Sequence, residues 1–354
     1  MNYIGSKKSL LQFLEESIYQ VVGKDDFLFL DLFAGTGAVG QHFKSKGHTI
    51  IANDLQYYSF VLNKNYIENY EILKFLSLEN ELMGLKNLDH KERANFVCNF
   101  LDNLTLTEGF IFNNYCLAGT INQEFQRQYF SDENGKKIDT IRKKIQEWQE
   151  NSKITSHEYY FLLATLLENA DKVANTASVY GAFLKQLKKS AQQKFFMKPA
   201  NFVLSNNKHS VYNENIETLI SQVEGDVLYL DPPYNHRQYA PNYHLLETIA
   251  KYDNPAIAGK TGLRNYVNQK SKFSQKTAVL KAFASIIQQA KVKYIFLSYN
   301  NEGLMTTEEI KNIMSQRGNY GVFTTKYNRF KADKTENRNH KNNSVIEYLH
   351  YIKL

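Results

Sequence analysis

The chain contains, at residues 28–40, the stretch Leu28-Phe29-Leu30-Asp31-Leu32-Phe33-Ala34-Gly35-Thr36-Gly37-Ala38-Val39-Gly40. Its apolar beginning predicts a buried strand, its glycines predict a tight turn, and the amphipathic residues that follow predict a helix. Strand, glycine turn and helix in this order are typical of a parallel α/β sheet, which binds its ligand at the carboxyl ends of its strands. The glycine spacing alone does not choose the ligand, because dinucleotide-binding domains use similar turns.

Two carboxylates narrow the choice of ligand. Asp31 ends the first strand directly before a loop that has no lysine for phosphate, and this favours a ligand with a cationic amino group. Residues 48–55 predict a second parallel strand that ends near Asp54, where an acid usually binds the hydroxyls of a ribose. Acids on either side of a glycine turn match S-adenosylmethionine, with its ammonium group near Asp31 and its ribose near Asp54.

A second informative stretch lies far downstream. Residues 226–230 are apolar, β-branched and aromatic, and Asp231-Pro232-Pro233-Tyr234 follows them, which predicts a buried strand that breaks into a loop. Asp231 and the Pro232 carbonyl can accept both hydrogens of an exocyclic amine, and Tyr234 offers a ring for stacking. The two prolines fix the direction of that carbonyl. The pattern favours transfer to the amino group of a planar base, although the same residue types also occur in ordinary turns.

The composition indicates a globular protein without a membrane anchor. Of its 354 residues, 43% are hydrophobic, and no apolar run approaches the ~18 residues of a membrane span. The N-terminus lacks the apolar core of a signal peptide, so we expect a cytoplasmic protein. Cys98 and Cys116 suit neither a disulfide framework nor a metal site, and both are predicted to be core residues.

The charge distribution favours a polyanionic partner. The net charge is +7, and lysines or arginines occur without any acid at residues 185–198 and at residues 260–281. Such segments suit phosphate contact, and solvated protein surface is the alternative.

The middle of the chain differs from its two ends. Between about residues 71 and 200 the glycine and strand pattern disappears, and apolar spacing at 88–104 and 159–173 predicts helices. Further strands are predicted at 292–300 and, as a hairpin with a basic tip, at 320–327 and 344–352. We therefore expect an α/β domain of residues 1–70 and 201–354 with a mostly helical insert of residues 71–200.

Four motifs together resemble the DNA adenine-N6 methyltransferases of the alpha group. They are Tyr3-Ile4-Gly5-Ser6-Lys7, Asp31-Leu32-Phe33-Ala34-Gly35-Thr36-Gly37, Asn53-Asp54-Leu55 and Asp231-Pro232-Pro233-Tyr234. That family has these motifs in this order, with a target-recognition insert before the Asp-Pro-Pro-Tyr loop. The resemblance covers about residues 1–70 and 205–354, and it implies a Rossmann-like S-adenosylmethionine-dependent methyltransferase sheet. The insert is similar only in its placement.

The resemblance also implies roles for individual residues. The catalytic residues would be Asp231, Pro232, Pro233 and Tyr234. The cofactor pocket would comprise Tyr3, Gly5, Lys7, Asp31, Phe33, Gly35, Gly37, Asp54, Leu55 and Asn215. At two of these positions the chain departs from the family, because Tyr3 replaces a common tryptophan and Asn215 replaces an aspartate. Contacts to DNA are expected from Arg237, Lys270, Lys272, Lys276, Arg329 and Lys331, and no metal is expected. His236 and His244 are expected to position substrate or contact DNA rather than to take a proton.

The implied function is site-specific transfer of a methyl group from S-adenosylmethionine to N6 of adenine in double-stranded DNA, with the target base flipped out of the helix. The family also implies a restriction-modification system, although the sequence leaves open whether a cognate restriction endonuclease exists. The alternatives are an RNA or cytosine-N4 amino methyltransferase and a non-enzymatic nucleic-acid-binding module with a vestigial pocket. The helical insert as a whole, and no particular residue in it, is expected to recognise the target. Its polar cluster of Gln123, Gln126, Arg127, Gln128 and Tyr129 suits either the reading of base edges or an ordinary surface loop.

Overall fold

The computed structural model describes residues 3–328 and 344–354, and this part of the chain forms two compact units. The sheet unit comprises residues 4–63, 205–239 and 267–354. The helical unit comprises Tyr3 with residues 64–204 and 240–266. Residues 240–266 therefore belong with the insert, whereas the sequence analysis assigned them to the α/β domain.

The helices and strands follow in chain order. The α-helices are α1 Leu11–Val22, α2 Ala38–Ser45, α3 Tyr57–Asn63, α4 His90–Asp102, α5 Phe110–Tyr115, α6 Asp132–Glu150, α7 Ser156–Val173, α8 Ile216–Leu219, α9 Tyr239–Asn242, α10 His244–Lys251, α11 Val279–Gln289 and α12 Thr307–Met314. The strands are β1 Leu28–Asp31, β2 Thr49–Asn53, β3 Ser210–Tyr212, β4 Val227–Leu230, β5 Ile257–Ala258, β6 Leu263–Arg264, β7 Tyr294–Asn300, β8 Asn319–Asn328 and β9 Ser344–Lys353.

Among the described residues, the sheet unit contains a seven-stranded sheet in the order β3-β2-β1-β4-β7-β9-β8. The five strands from β3 to β7 are parallel, β9 is antiparallel to β7, and β8 is antiparallel to β9. The chain runs from β1 outward to β2 and β3, and then returns to β4 on the other side of β1. The strand order therefore reverses between β1 and β4, and α/β sheets bind ligands at such switch points. The predicted Rossmann-like α/β fold is confirmed.

The central strands are buried because their side chains are apolar on both faces. All four residues of β4 are buried, and Leu30 of β1 pairs with Leu228 of β4 in register. Helix α11 packs Phe283 and Ile286 into the same core. Helix α12 begins with a capping box between Thr306 and Glu309, as the hydroxyl and acid at its start predict.

The helical unit has its own apolar core. Helices α4 and α7 confirm the helices predicted at 88–104 and 159–173, and α7 begins with a capping box between Thr155 and Glu158. Cys98 and Cys116 are buried thiols, as predicted. Residues 174–209 contain no helix or strand, and buried Asn175 ties this long segment together through hydrogen bonds to the Leu184 carbonyl and from the Lys188 amide. Across the described ranges, no helix has the length and apolar character needed to cross a membrane.

Candidate active site

The glycine turn after β1 is held by hydrogen bonds from neighbouring elements. Gly35 and Gly37 have φ of 51° and 77°, a left-handed conformation that favours glycine. The Ala34 amide donates to the Asn53 carbonyl at 2.9 Å, and the Asn63 side chain donates to the Gly35 carbonyl at 2.9 Å. The turn is therefore fixed at the carboxyl end of the sheet, beside the switch point.

Asp31 is a buried carboxylate with an unsatisfied oxygen. Its side chain is 1% exposed, and Oδ2 accepts a hydrogen bond from the Gly40 amide at 3.2 Å. Oδ1 has no hydrogen-bond partner among the described residues. Burial, followed by the neighbouring carboxylates of Asp231 and Asp54, raises the pKa of Asp31 to about 8. A buried acid of this kind suits a cationic ligand group that supplies the missing partner.

Asp54 follows β2 and points its carboxylate at the glycine turn. Oδ2 accepts from the Gly35 amide at 2.8 Å, and Oδ1 accepts from the Gln56 amide at 2.8 Å. The Asn213 side chain donates to the Asp54 carbonyl at 2.7 Å. Leu55, the next residue, is half-buried. The carboxylate that was predicted to hold a ribose is thus oriented by two backbone amides on the same side of the sheet as Asp31.

Asp231 follows β4 and belongs to a buried cluster of charges. The Lys7 ammonium lies 3.2 Å from Asp231 Oδ1 and 2.7 Å from Glu347 Oε1, and Ser298 Oγ donates to the same Glu347 oxygen at 2.7 Å. Burial raises the pKa of Asp231 to about 6, with Lys7 lowering it and Glu347 raising it. Burial alone would lower the pKa of Lys7, but the two carboxylates outweigh that effect and raise it. The structure thus joins Lys7, which was predicted in the cofactor pocket, to the predicted catalytic carboxylate.

The rest of the Asp-Pro-Pro-Tyr loop is held in place by burial of its prolines and by contacts of Tyr234. Pro232 is buried and Pro233 is half-buried. The Leu304 amide donates to the Tyr234 carbonyl at 2.9 Å, and the half-buried Tyr234 ring meets Tyr299 edge to face at 6.4 Å. The loop therefore follows a defined path beyond β4.

Gly5, Phe33 and Tyr3, which were also predicted for the cofactor pocket, each contact an aromatic residue. Gly5 has φ of 77°, and a Cβ at this position would lie 2.9 Å from the Tyr239 hydroxyl, so only glycine fits. Phe33 meets Phe273 edge to face at 5.0 Å. Tyr3 is part of the helical unit, where its ring stacks on Tyr243 at 4.9 Å.

Asn215 has a clear local role. It is the N-cap of α8, and its side chain accepts from the Glu217 amide at 3.0 Å while the residue stays exposed. Its predicted contact with the cofactor adenine stays a prediction.

The predicted DNA contacts that the structure describes are exposed. Arg237, Lys270, Lys272 and Lys276 all lie on the surface, and Lys272 forms an ion pair with Glu217 at 2.9 Å. The loop that carries Arg237 is joined to the lysine segment by two hydrogen bonds between Gln238 and Ser271, at 3.1 and 2.8 Å. Arg329 and Lys331 lie outside the described residues.

Some polar residues that appeared available in the sequence are buried instead. His244 is 1% exposed and bonds to the Tyr180 carbonyl at 3.0 Å, so the expected contact with substrate or DNA is wrong for the structure as described. Arg127 is buried, and its guanidinium donates to the carbonyls of Gly259 and Lys260. Arg264, within the basic segment 260–281, is buried, and its guanidinium forms a bidentate salt bridge with the Asp253 carboxylate. His236 is exposed.

Sequence analysis missed several residues of this site. Glu347 and Ser298 lie on β9 and β7, where each looks like one polar residue in an alternating strand. Asn63 and Asn53 support the glycine turn, and Asn53 accepts from the Glu214 amide at 3.0 Å. An inward-facing acid in an otherwise buried strand was the signal that could have identified Glu347.

The fold and the site together define the class. A mostly parallel sheet with a glycine turn after β1, acids after β1 and β2, and Asp-Pro-Pro-Tyr after β4 is the arrangement of a Rossmann-like methyltransferase. Comparison with known proteins gives the family. Residues 3–313 match the D12 class N6 adenine-specific DNA methyltransferases, and the chain belongs to this family.

Curated relatives agree with this assignment. The chain is 51% identical to Type II methyltransferase M.NlaIII of Neisseria lactamica, over 99% of both chains. It is 31% identical to Type II methyltransferase M.CviAII of Paramecium bursaria Chlorella virus 1, over 99% of this chain and 98% of the relative. It is 38% identical to Type II methyltransferase M.FokI of Planomicrobium okeanokoites, where it spans 52% of that longer protein.

Proposed function

We propose that this adenine-specific DNA methyltransferase binds S-adenosylmethionine at the glycine turn and methylates N6 of a flipped adenine at Asp231. The observation that carries the cofactor site is the unpartnered, buried Oδ1 of Asp31. An ammonium group at this oxygen would satisfy the buried charge, and Asp54 would hold the ribose. Phe33, Gly35, Gly37, Leu55, Gly5 and Asn215 complete the proposed pocket, and Lys7 lies beside Asp231. The cofactor contact predicted for Tyr3 stays a prediction.

S-Adenosylmethionine supplies an electrophilic methyl group on a sulfonium. Asp231 and the Pro232 carbonyl accept the two amino hydrogens of adenine, so the nitrogen lone pair faces that methyl group. The new N–C bond forms as the S–C bond breaks, and the extra proton on N6 then leaves to water. Tyr234 stacks on the flipped base, which compensates in part for the few kcal/mol of unstacking.

The DNA substrate and the biological context follow from charge and from the relatives. We propose that Arg237, Lys270, Lys272 and Lys276 contact phosphate in double-stranded DNA, and that Arg329 and Lys331 extend this contact. Exposure of the four described residues and the overall charge of +7 support this assignment. Because relatives are named Type II methyltransferases, we also propose that a cognate restriction endonuclease shares the recognition site.

Methyl transfer with product identification tests the proposal. Tritiated S-adenosylmethionine is incubated with double-stranded DNA or with RNA, and the nucleosides are then separated. We expect label in N6-methyladenine from DNA alone. Label in N4-methylcytosine or in RNA would replace the proposed acceptor, and absence of transfer together with retained DNA binding would favour a binding module. Asp31→Asn is the matched control, because it removes the proposed cofactor contact and keeps the size of the side chain.

A further inference from the structure

Two buried charges, Lys7 and Glu347, meet the half-buried Asp231 at the catalytic loop. Lys7 is 6% exposed and Glu347 is 3% exposed, although they lie 340 positions apart in sequence. The ammonium lies closer to Glu347, at 2.7 Å, than to Asp231, at 3.2 Å. Ser298 fixes the same oxygen of Glu347 with a hydrogen bond of 2.7 Å. Asp231 therefore contributes the weaker of the two contacts to Lys7.

Lys7 has two carboxylate partners, Asp231 and Glu347, although one would neutralise its charge. One lysine and one carboxylate would form a neutral buried pair, whereas the observed cluster carries a net charge of −1. Burial of a further carboxylate costs several kcal/mol. A feature of this cost next to a reacting group is consistent with a functional role.

We propose that Glu347 is a positioning residue for methyl transfer, which draws the Lys7 ammonium away from Asp231 so that the Asp231 carboxylate stays available to the target amine. This inference rests on the proposed function of Asp231. Among the described residues, Asp231 Oδ2 has no protein partner, so it is the oxygen that can accept from the amine.

The net charge of the cluster also matters for the reaction. Positive charge develops on N6 as the lone pair bonds to the methyl carbon, and it persists until the proton leaves to water. A cluster of charge −1 stabilises this developing charge, whereas a neutral pair of Lys7 and Asp231 would not. Loss of Glu347 therefore both ties up the acceptor oxygen and removes the favourable field.

The same geometry has a consequence for pH dependence. The titratable groups around Asp231 are Lys7, Glu347, Tyr229 and Asp31. Glu347 raises the pKa of Asp231 and Lys7 lowers it. Replacing Glu347 by a neutral residue should therefore lower the pKa of Asp231, and the acidic limb of the rate profile should move to lower pH.

The experiment measures single-turnover methylation between pH 5 and 9 with saturating cofactor and DNA. We expect Glu347→Gln to reduce the rate at pH 8 by about 10- to 100-fold, the scale of a misplaced reacting group, and to shift the acidic limb downward. Ser298→Ala, which removes one hydrogen bond to Glu347, should shift the limb in the same direction by less. Glu309→Gln is the matched control, since it disturbs the cap of α12 in the same unit and should leave the limb unmoved.

A double variant tests whether Glu347 acts through Lys7. If it does, adding Glu347→Gln to Lys7→Met will slow the reaction by less than adding it to the wild type, because only the contribution of the negative charge of Glu347 then remains to be lost. Thermal melting of every variant shows which proteins remain folded. A slower Glu347→Gln enzyme with an unmoved acidic limb, or multiplied effects in the double variant, would overturn the inference. Failure of the wild-type enzyme to methylate adenine would instead contradict the proposed function.

Discussion

Asp31 is a buried acid whose ionisation costs stability in the ligand-free protein. Its pKa rises from 3.8 to about 8 on folding, so the folded protein holds an extra proton between these values. Stability contributed by this group therefore falls as pH rises through that window. We expect Asp31→Asn to raise the free energy of unfolding of the ligand-free protein at pH 8 by about 1–3 kcal/mol, and this gain should be smaller at pH 5. Thermal melts at the two pH values measure the effect.

Asp226, at the opposite end of β4, provides the control for that experiment. The Leu28 amide and then Lys293 lower its pKa, so its contribution to stability is present above its unfolded pKa and is lost as pH falls. Asp226→Asn should consequently destabilise the protein at pH 8. A destabilised Asp31→Asn variant at pH 8 would contradict the proposed cost of the buried charge.

Conservative and non-conservative substitutions distinguish the proposed roles of Asp231 and Tyr234. If Asp231 orients the amine, Asp231→Asn keeps one acceptor and should retain measurable turnover, whereas Asp231→Ala should lose far more. Tyr234→Phe should be mild, but Tyr234→Ala should lose a stacking contribution of ~1–3 kcal/mol. Single-turnover rates, with 2-aminopurine fluorescence at the target position, measure both effects. Equal rates for the two Asp231 variants would refute the orienting role.

Asp54 has two roles at the glycine turn. Its carboxylate accepts a hydrogen bond from the Gly35 amide, and it is also the proposed partner of the ribose. We expect Asp54→Ala to weaken S-adenosylmethionine binding by ~1.5–3 kcal/mol, the value of a charge-assisted hydrogen bond. Calorimetry measures the loss. Asn63→Ala releases the same turn through the Gly35 carbonyl but removes no acid, so its effect should be smaller. An equal loss in both variants would mean that Asp54 acts through the turn alone.

The lysine segment next to the catalytic loop is a second element with a testable role. Replacing Lys270, Lys272 and Lys276 by glutamine should weaken binding to all DNA sequences and make the salt dependence shallower by up to about three units of slope. Cofactor affinity should stay the same. Glu217→Gln should have the opposite effect on DNA binding. It releases Lys272 from its ion pair and should tighten binding slightly. A salt slope equal to that of the wild type would place the lysines away from DNA.

At the level of the whole molecule, the proposed recognition of DNA by the helical unit can be tested separately from cofactor binding. In the helical unit, Lys185, Lys189, Lys194 and Lys198 are exposed on the long segment without helix or strand. Their joint replacement by glutamine should raise the KM for DNA several-fold and leave the Kd for S-adenosylmethionine unchanged, because all the proposed cofactor groups except Tyr3 lie in the sheet unit. Lys91→Gln, an exposed lysine on α4, is the control. An unchanged KM for DNA would identify the segment as ordinary solvated surface.

The fold class and the positions of the candidate carboxylates were predictable from the sequence, because these features are local. A glycine turn needs positive φ at Gly35 and Gly37, an apolar run before Asp31 or Asp231 forms a buried strand, and parallel strands bring their carboxyl ends to one edge. The order of such motifs was therefore sufficient to predict which acids lie at the same edge of the sheet. The helices of the insert were also predictable from their apolar spacing.

Only the tertiary structure decided which polar residues are partners. The pairing of β9 with β7 brings Glu347 to Ser298, and Lys7 reaches Glu347 from the other end of the chain. A contact between residues so far apart leaves no periodic signal in the sequence. His244 and Arg127 look like surface residues in polar stretches, yet both are buried and bond to carbonyl groups of distant segments. Local pattern thus specifies strands, turns and helix ends, whereas the partner of a buried charge depends on the packing of the complete unit.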